Sequence, residues 1–141
     1  MDLSTTYRRY LAAVVRFHLV GADVAGIGVT DYQAASLLDA EGPLTSGELG
    51  RLLRLSPSAT TRAVDRLIAA GIAERTADPS DRRRTLVRHT GHMPDGLLEF
   101  FESAREPIGA AIAGLSDTQR EGLEAYLLAA TEAYGEAVKP E

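Results

Sequence analysis

Arginines are concentrated in one part of the chain. Nine lie at positions 51, 54, 62, 66, 75, 82, 83, 84 and 88, where only four carboxylates accompany them, at 65, 74, 78 and 81. The whole chain carries a formal net charge of −5, so the remaining residues are strongly acidic. Guanidinium groups bind phosphate oxygens and guanine edges through paired hydrogen bonds. Because local potential governs attraction to a polyanion, this distribution favours a nucleic-acid partner despite the acidic total.

The segment after Leu55 predicts a helix with two contrasting faces. Ser56 suits the N-cap, Pro57 suits the first helical position, and Gly71 supplies a left-handed stop. One face is apolar, and the opposite face carries Ser58, Thr61, Arg62, Asp65 and Arg66. Small hydroxyls permit close approach to a major groove, where arginine bonds guanine or phosphate. Taken alone, this face is equally typical of an ordinary solvated helix.

A shorter helix precedes this one. Thr45 and Glu48 have the spacing of a capping box, and Leu49, Leu52 and Leu53 recur at helical intervals that predict an inward face. Gly50 weakens the helix, which indicates either support by tertiary packing or a close approach of another helix. Arg54 and Leu55 form the turn. The order predicts a helix-turn-helix.

A hairpin is predicted next. The runs 72–76 and 85–89 are partly alternating and predict two strands, and the residues 77–81 have turn chemistry. Arg82, Arg83 and Arg84 are expected at the tip, where arginines can enter a narrow minor groove. Asp81 could pair with one of them. An edge hairpin charged only for solubility is the alternative.

These stretches resemble the MarR (multiple antibiotic resistance type) family of transcriptional regulators. The resemblance lies in LTSGELGRLLRLSPSATTRAVDRLIAAGIAER and DPSDRRRTLVRHT, although His89-Thr90 and Gly50 depart from the family pattern. It implies a winged helix-turn-helix fold, a homodimer, a pseudo-palindromic double-stranded DNA operator and a small aromatic or phenolic effector. It also implies that Arg83 is the wing arginine held by Asp81. The recognition helix would be lined by Ser58, Thr60, Thr61, Arg62 and Arg66.

The flanking segments predict long amphipathic helices. The fold class expected is mainly α (α+β), with one domain over residues 1–141, a DNA-binding lobe at 30–90 and dimerisation helices at 1–25 and 94–141. Capping boxes are predicted at Thr30/Gln33 and Ser116/Gln119, and Pro107 is expected to kink or split its helix. A DNA-reading lobe alone could not cover two such apolar stripes, so interlocking copies are expected. A monomer that packs these helices on its own core is the alternative.

Several classes of protein receive no support from the sequence. The chain has no cysteine, which excludes disulfides and cysteine-ligated zinc. His18, His89 and His92 lack a set of three or four ligands at a diagnostic spacing, so no metal or other cofactor is expected. His18 is expected to be a hydrogen-bonded core or interface residue, with a ligand pocket as the lesser alternative. Phosphate loops and nucleophile elbows are absent, so an enzyme is not predicted. No membrane span or signal region is recognised, and a cytoplasmic location is expected.

The hypothesis favoured by the sequence is a dimeric winged-helix repressor that binds DNA. Recognition-helix residues would read bases, Arg82 to Arg84 would grip the minor groove, and Arg54 and Arg75 would touch phosphates. The first alternative is a winged-helix module that binds protein rather than DNA. The second is a small-molecule-binding protein or enzyme with no role on DNA.

Overall fold

The computed structural model describes residues 2–139 as six helices and a two-stranded antiparallel sheet. The chain divides into two compact units, Met1–Phe100 and Phe101–Glu141, which are described separately. The predicted mainly α fold with a β-wing is confirmed. In chain order the elements are α1 Leu3–Ala25, α2 Val29–Glu41, α3 Ser46–Leu53, α4 Pro57–Ala69, β1 Ala73–Asp78, β2 Asp81–His89, α5 Leu97–Ala113 and α6 Asp117–Ala137.

The core of the first unit lies where α2, α3, α4 and the hairpin meet. Leu44 precedes α3 and forms an isolated antiparallel bridge with Val87 of β2, which joins the hairpin to the helices. The inward face predicted for α3 is partly wrong, since Leu52 is 49% exposed while Leu49 is fully buried. The buried residues of this core are Ala34, Leu38, Leu49, Val64, Leu67, Ile72, Ala73 and Val87.

The predicted helix caps have three different outcomes. The box at the start of α6 is complete, because Ser116 and Gln119 each bond the other's backbone N–H. At α3 only half of the box is recorded: Thr45 Oγ1 accepts from the Glu48 N–H at 3.1 Å, while the Glu48 carboxylate bonds Arg84 instead. The box predicted from Thr30 is wrong, since α2 begins one residue earlier at Val29 and its N-cap is a glycine without a side chain to bond.

The hairpin differs from its predicted form at the arginines. The strands are longer than expected, and the two-residue connection is Pro79-Ser80. Pairing steps from Ala77 opposite Thr85 directly to Asp78 opposite Asp81, so residues 82–84 have no partners in the register. The three arginines therefore lie in an irregular, bulged part of β2 rather than in the turn itself. Such a bulge bends a strand and changes the direction of its side chains.

The helices after the wing bury few of their side chains. Leu97 is the one buried residue of α5, and α6 has none. Pro107 does not split α5, which continues through it from Leu97 to Ala113. Within residues 2–139 no single helix is long and apolar enough to cross a membrane, and α1 with α2 passes only as a pair bent by 103°. The single domain over 1–141 and the dimerisation segments remain predictions.

Candidate nucleic-acid interface

A tight turn places the start of α4 beside the end of α3. Arg54 adopts left-handed backbone angles, φ 58° and ψ 40°, and its N–H donates to the Arg51 carbonyl at 3.2 Å. This conformation costs a residue other than glycine about 1 kcal/mol. The Leu55 N–H donates to the Gly50 carbonyl at 2.9 Å, and Ser56 Oγ then caps α4 by accepting from Ala59 at 3.2 Å. The turn and cap agree with the sequence prediction.

The crossing of α3 and α4 is too close for a side chain at position 50. A Cβ on Gly50 would lie 2.6 Å from Thr60 Oγ1 and 3.5 Å from the Leu55 carbonyl oxygen. Thr60 is 1% exposed, and its hydroxyl donates to the Ser56 carbonyl at 2.9 Å. The expectation that Thr60 lines the exposed face of the recognition helix is therefore wrong, because its side chain faces α3.

Three side chains of α4 do form an exposed polar face. Ser58, Thr61 and Arg62 follow the i, i+3, i+4 spacing that brings side chains together on one side of a helix. Thr61 Oγ1 donates to the Pro57 carbonyl at 3.0 Å, which keeps the hydroxyl close to the helix. The Arg62 side chain makes no ion pair or hydrogen bond to any residue in the described range 2–139, so its guanidinium is available. Their contact with DNA stays a prediction.

Arg66, predicted as a DNA contact, bonds α2 instead of extending freely. Its Nε lies 2.7 Å from Asp31 Oδ2 and its Nη2 lies 2.9 Å from Asp31 Oδ1. The Asp31 side chain is only 8% exposed, whereas that of Arg66 is 56% exposed. The hydrogen bonds that Arg66 donates to Asp31, followed by the charge of that carboxylate, raise the pKa of Arg66 above its usual range.

The Arg84 guanidinium bonds carboxylates of α3 and β1. Its Nη2 donates to Glu48 Oε1 at 2.8 Å, and its Nη1 lies 3.7 Å from Asp78 Oδ2. Asp78 also accepts from the Ser80 hydroxyl and backbone N–H, at 2.7 and 2.9 Å. These Ser80 hydrogen bonds lower the pKa of Asp78 below 3.8, and the charge of Arg84 adds to the effect. Arg84 thus links the wing to α3.

The predicted pair of Asp81 and Arg83 is present but weak. Arg83 Nε lies 3.5 Å from Asp81 Oδ1, at the limit of a hydrogen bond, and its side chain is 93% exposed. The same carboxylate oxygen accepts from the Arg83 backbone N–H at 3.0 Å, so Asp81 mainly fixes the backbone. Arg82 is exposed and makes no ion pair with any residue between 2 and 139.

The structure therefore separates eight of the nine clustered arginines into two groups, and Arg83, which is only weakly paired with Asp81, belongs to neither. Four are bound to carboxylates: Arg66, Arg84, Arg75 with Asp65 at 2.8 Å, and Arg88 with Glu74 at 2.9 Å. Four others are exposed without an ion pair to any described residue, and we call them the free arginines: Arg51, Arg54, Arg62 and Arg82.

Arg51 was not among the predicted contacts. Its position one turn before Arg54, in the last turn of α3, was the signal that could have found it.

The histidines make local hydrogen bonds. His18 Nδ1 and the Tyr32 hydroxyl lie 2.8 Å apart, while burial raises the pKa of Tyr32. His18 is thus hydrogen-bonded as expected, although its side chain is exposed. His89 Nδ1 accepts from the Gly91 N–H at 2.8 Å. A search of residues 2–139 finds no group of three or more His, Asp or Glu side chains placed to hold a metal ion.

A helix-turn-helix followed by a β-hairpin defines the class of winged-helix proteins. Comparison with known sequences gives the same class. Residues 25–84 match a family model described as "MarR family". An HTH-type transcriptional regulator of Bacillus subtilis, YcgE, is 41% identical over 81 residues, which cover 57% of this chain and 53% of the relative. The multiple antibiotic resistance protein MarR of Salmonella typhimurium is 36% identical over 81 residues, covering 57% and 54%.

A solved structure supports the fold over most of the chain. A mutant of MepR from S. aureus, solved bound to an oligodeoxyribonucleotide, is 18% identical with a TM-score of 0.55. The match covers 95% of this chain and 99% of that one. The chain spans about half the length of the curated relatives it matches.

Residues 25–84 of the chain thus match the MarR family of transcriptional regulators, as the sequence resemblance indicated. Members of this family are regulators of transcription and not enzymes.

Proposed function

We propose that this chain binds duplex DNA as a sequence-specific regulator. The observation that carries the proposal is the free arginines, which lie in the turn before α4, on its hydroxyl-bearing face and in the wing. Helix-turn-helix proteins place the second helix in the major groove, and arginines in a wing or arm can enter the minor groove. MepR, which shares the fold, was solved with an oligodeoxyribonucleotide and is the precedent for this partner.

Within this proposal the side chains have separate tasks. Ser58, Thr61 and Arg62 would meet base edges, because they share the exposed face of α4. Arg51 and Arg54 would meet phosphates, and Arg82 with Arg83 would enter the minor groove. Arg66, Arg75 and Arg84 are assigned no direct contact, since each already bonds a carboxylate.

We also propose that the regulator acts as a homodimer on a pseudo-palindromic operator. Two copies would place their recognition helices about 34–36 Å apart, on successive turns of the major groove. Large exposed apolar side chains on the terminal helices support this, because a second copy would remove them from water. They are Tyr10, Val15, Leu19 and Val20 on α1, and Tyr126, Leu127, Leu128 and Tyr134 on α6.

Ligand-responsive repression in the cytoplasm is the remaining part of the proposal. It rests on the family resemblance. A small aromatic effector would release DNA if it bound more tightly to a dimer whose recognition helices have the wrong spacing. Purified regulator with its preferred duplex, titrated with a panel of phenolic compounds, tests this step. Loss of DNA binding with one compound supports it, and no effect from any member of the panel speaks against it.

Selection from a random duplex library tests the DNA proposal. The expected result is a pseudo-palindromic sequence whose half-sites lie one helical turn apart, bound with an affinity that falls steeply as salt rises. A winged-helix module that binds protein would enrich no sequence. In that case the free arginines would have another partner.

A further inference from the structure

Asp31 lies in the first turn of α2, and both oxygens of its carboxylate bond the guanidinium of Arg66. Each oxygen accepts one hydrogen bond, from Arg66 Nε at 2.7 Å and from Nη2 at 2.9 Å. Two parallel hydrogen bonds fix the orientation of the guanidinium as well as its distance. Since the two residues are 35 positions apart, the pair joins α2 to the recognition helix α4.

The geometry restricts what else Arg66 can do. The Nε–Nη2 edge of its guanidinium is occupied by Asp31, so this edge is not available to a guanine or a phosphate. Asp31 is 6% exposed, and the removal of Arg66 to a DNA ligand would leave a buried carboxylate without its cation. Although the Arg66 side chain is half exposed, its guanidinium is therefore not free to contact DNA.

Tyr32, the residue after Asp31, attaches the first turn of α2 to α1. Tyr32 is 7% exposed, and its hydroxyl lies 2.8 Å from His18 Nδ1 of α1. A Cβ on Gly21 of α1 would lie 2.9 Å from that hydroxyl, so α1 and α2 are in close contact here. Tyr32 thus holds the first turn of α2 on α1, and Asp31 joins the same turn to α4.

We infer that Asp31 is a positioning residue for base recognition. It holds Arg66, and through Arg66 it fixes the rotation of α4 that presents Ser58, Thr61 and Arg62 to DNA. Asp31 touches no DNA itself. This inference rests on the proposed function, since it concerns how the recognition face is aimed.

The test compares variants on the duplex selected by the unmodified protein. Asp31→Asn keeps the shape of the side chain but removes the charge, and Arg66→Lys keeps the charge but not the two-point bond. If Asp31 aims the helix, both variants lose about tenfold in affinity, within the range of coupling between residues that share one network. Base preference at the positions read by α4 also relaxes in both, and Asp31→Glu recovers part of the loss.

If Arg66 instead contacted DNA directly, different results would be expected. Asp31→Asn would then free a DNA-binding arginine and remove a negative charge, so binding would tighten. Arg66→Lys would change base preference at one position at most, because only its own contact would be altered. Tighter or unchanged binding by Asp31→Asn, with the base preference unchanged, overturns the inference.

Two controls separate this result from other causes. Asp65→Asn removes an exposed carboxylate of α4 that pairs with Arg75, and it is expected to tighten binding. Circular dichroism and thermal unfolding show whether each variant is folded. Should Asp31→Asn not fold, the base preference of Arg66→Lys decides the question: relaxation at all positions read by α4 supports positioning, and a change confined to one position supports a direct contact. If the unmodified protein selects no duplex, the proposed function fails. If it selects one that Asp31→Asn and Arg66→Lys bind normally, only the inference about Asp31 fails.

Discussion

Replacement of Gly50 by alanine tests the crossing of α3 and α4. In an open helix this change stabilises a protein by about 1 kcal/mol. Here the new methyl group would lie 2.6 Å from Thr60 Oγ1, a buried hydroxyl bonded to the Ser56 carbonyl at 2.9 Å. Displacement of the hydroxyl costs roughly 1 kcal/mol for the hydrogen bond and about 1 to 3 kcal/mol for overpacking.

The opposing effects leave a net loss of about 1 to 3 kcal/mol for Gly50→Ala, or roughly 3 to 10 °C in Tm for a chain of this size. Thermal unfolding at one fixed protein concentration measures it, because the proposed dimer would make Tm depend on concentration. Gly47→Ala is the matched control in the same helix: the nearest atom to its Cβ is Thr45 Oγ1 at 3.9 Å, so it should not destabilise. Gly50→Ala combined with Thr60→Ala should recover most of the loss. A Gly50→Ala protein as stable as the Gly47→Ala control would refute the proposed close contact.

Three further predictions concern polar contacts of the first unit. A double-mutant cycle between Glu48→Gln and Arg84→Met should give a coupling of about 0.5 kcal/mol that falls with salt, because both side chains are partly exposed. Zero coupling would contradict an ion pair that joins the wing to α3. Tyr32→Phe removes the hydroxyl that bonds His18 and should lower the free energy of unfolding by about 1 kcal/mol, whereas unchanged stability would argue against that bond. Asp78 has a lowered pKa, so its contribution to the hairpin is complete above about pH 4 and is lost as pH falls through the lower folded value. Titration of the Asp78 carboxyl by NMR checks this, and a pKa at or above 3.8 would contradict it.

Local features of the fold were predictable from the sequence. The Ser56 cap, Pro57 at the first turn and Gly71 with φ 76° follow from chemistry within a few residues. Gly50 was correctly expected either to need tertiary support or to mark a close approach, because glycine in a helix interior is otherwise unfavourable.

The candidate site was predictable only in part, because long-range partners decide which arginines are free. The spacing of α4 correctly identified its exposed face, but Arg66 bonds an acid 35 positions away, and Arg84 one 36 positions away. No local pattern reveals such pairs. Thr60 lies at the edge of the face, where only the packing of α3 shows that it is buried.

The salt dependence of binding to the selected duplex tests the central claim most directly. That claim is that the free arginines contact DNA, with Arg51 and Arg54 on phosphates, and that the arginines bound to carboxylates make no such contact. Each lost phosphate contact reduces the log–log slope by about 0.9. Arg51→Ala should show this reduction, whereas Arg88→Ala, which removes an arginine bound to Glu74 at 2.9 Å, should keep the slope of the unmodified protein. Equal slopes for all three proteins, or a reduction confined to Arg88→Ala, would contradict the account.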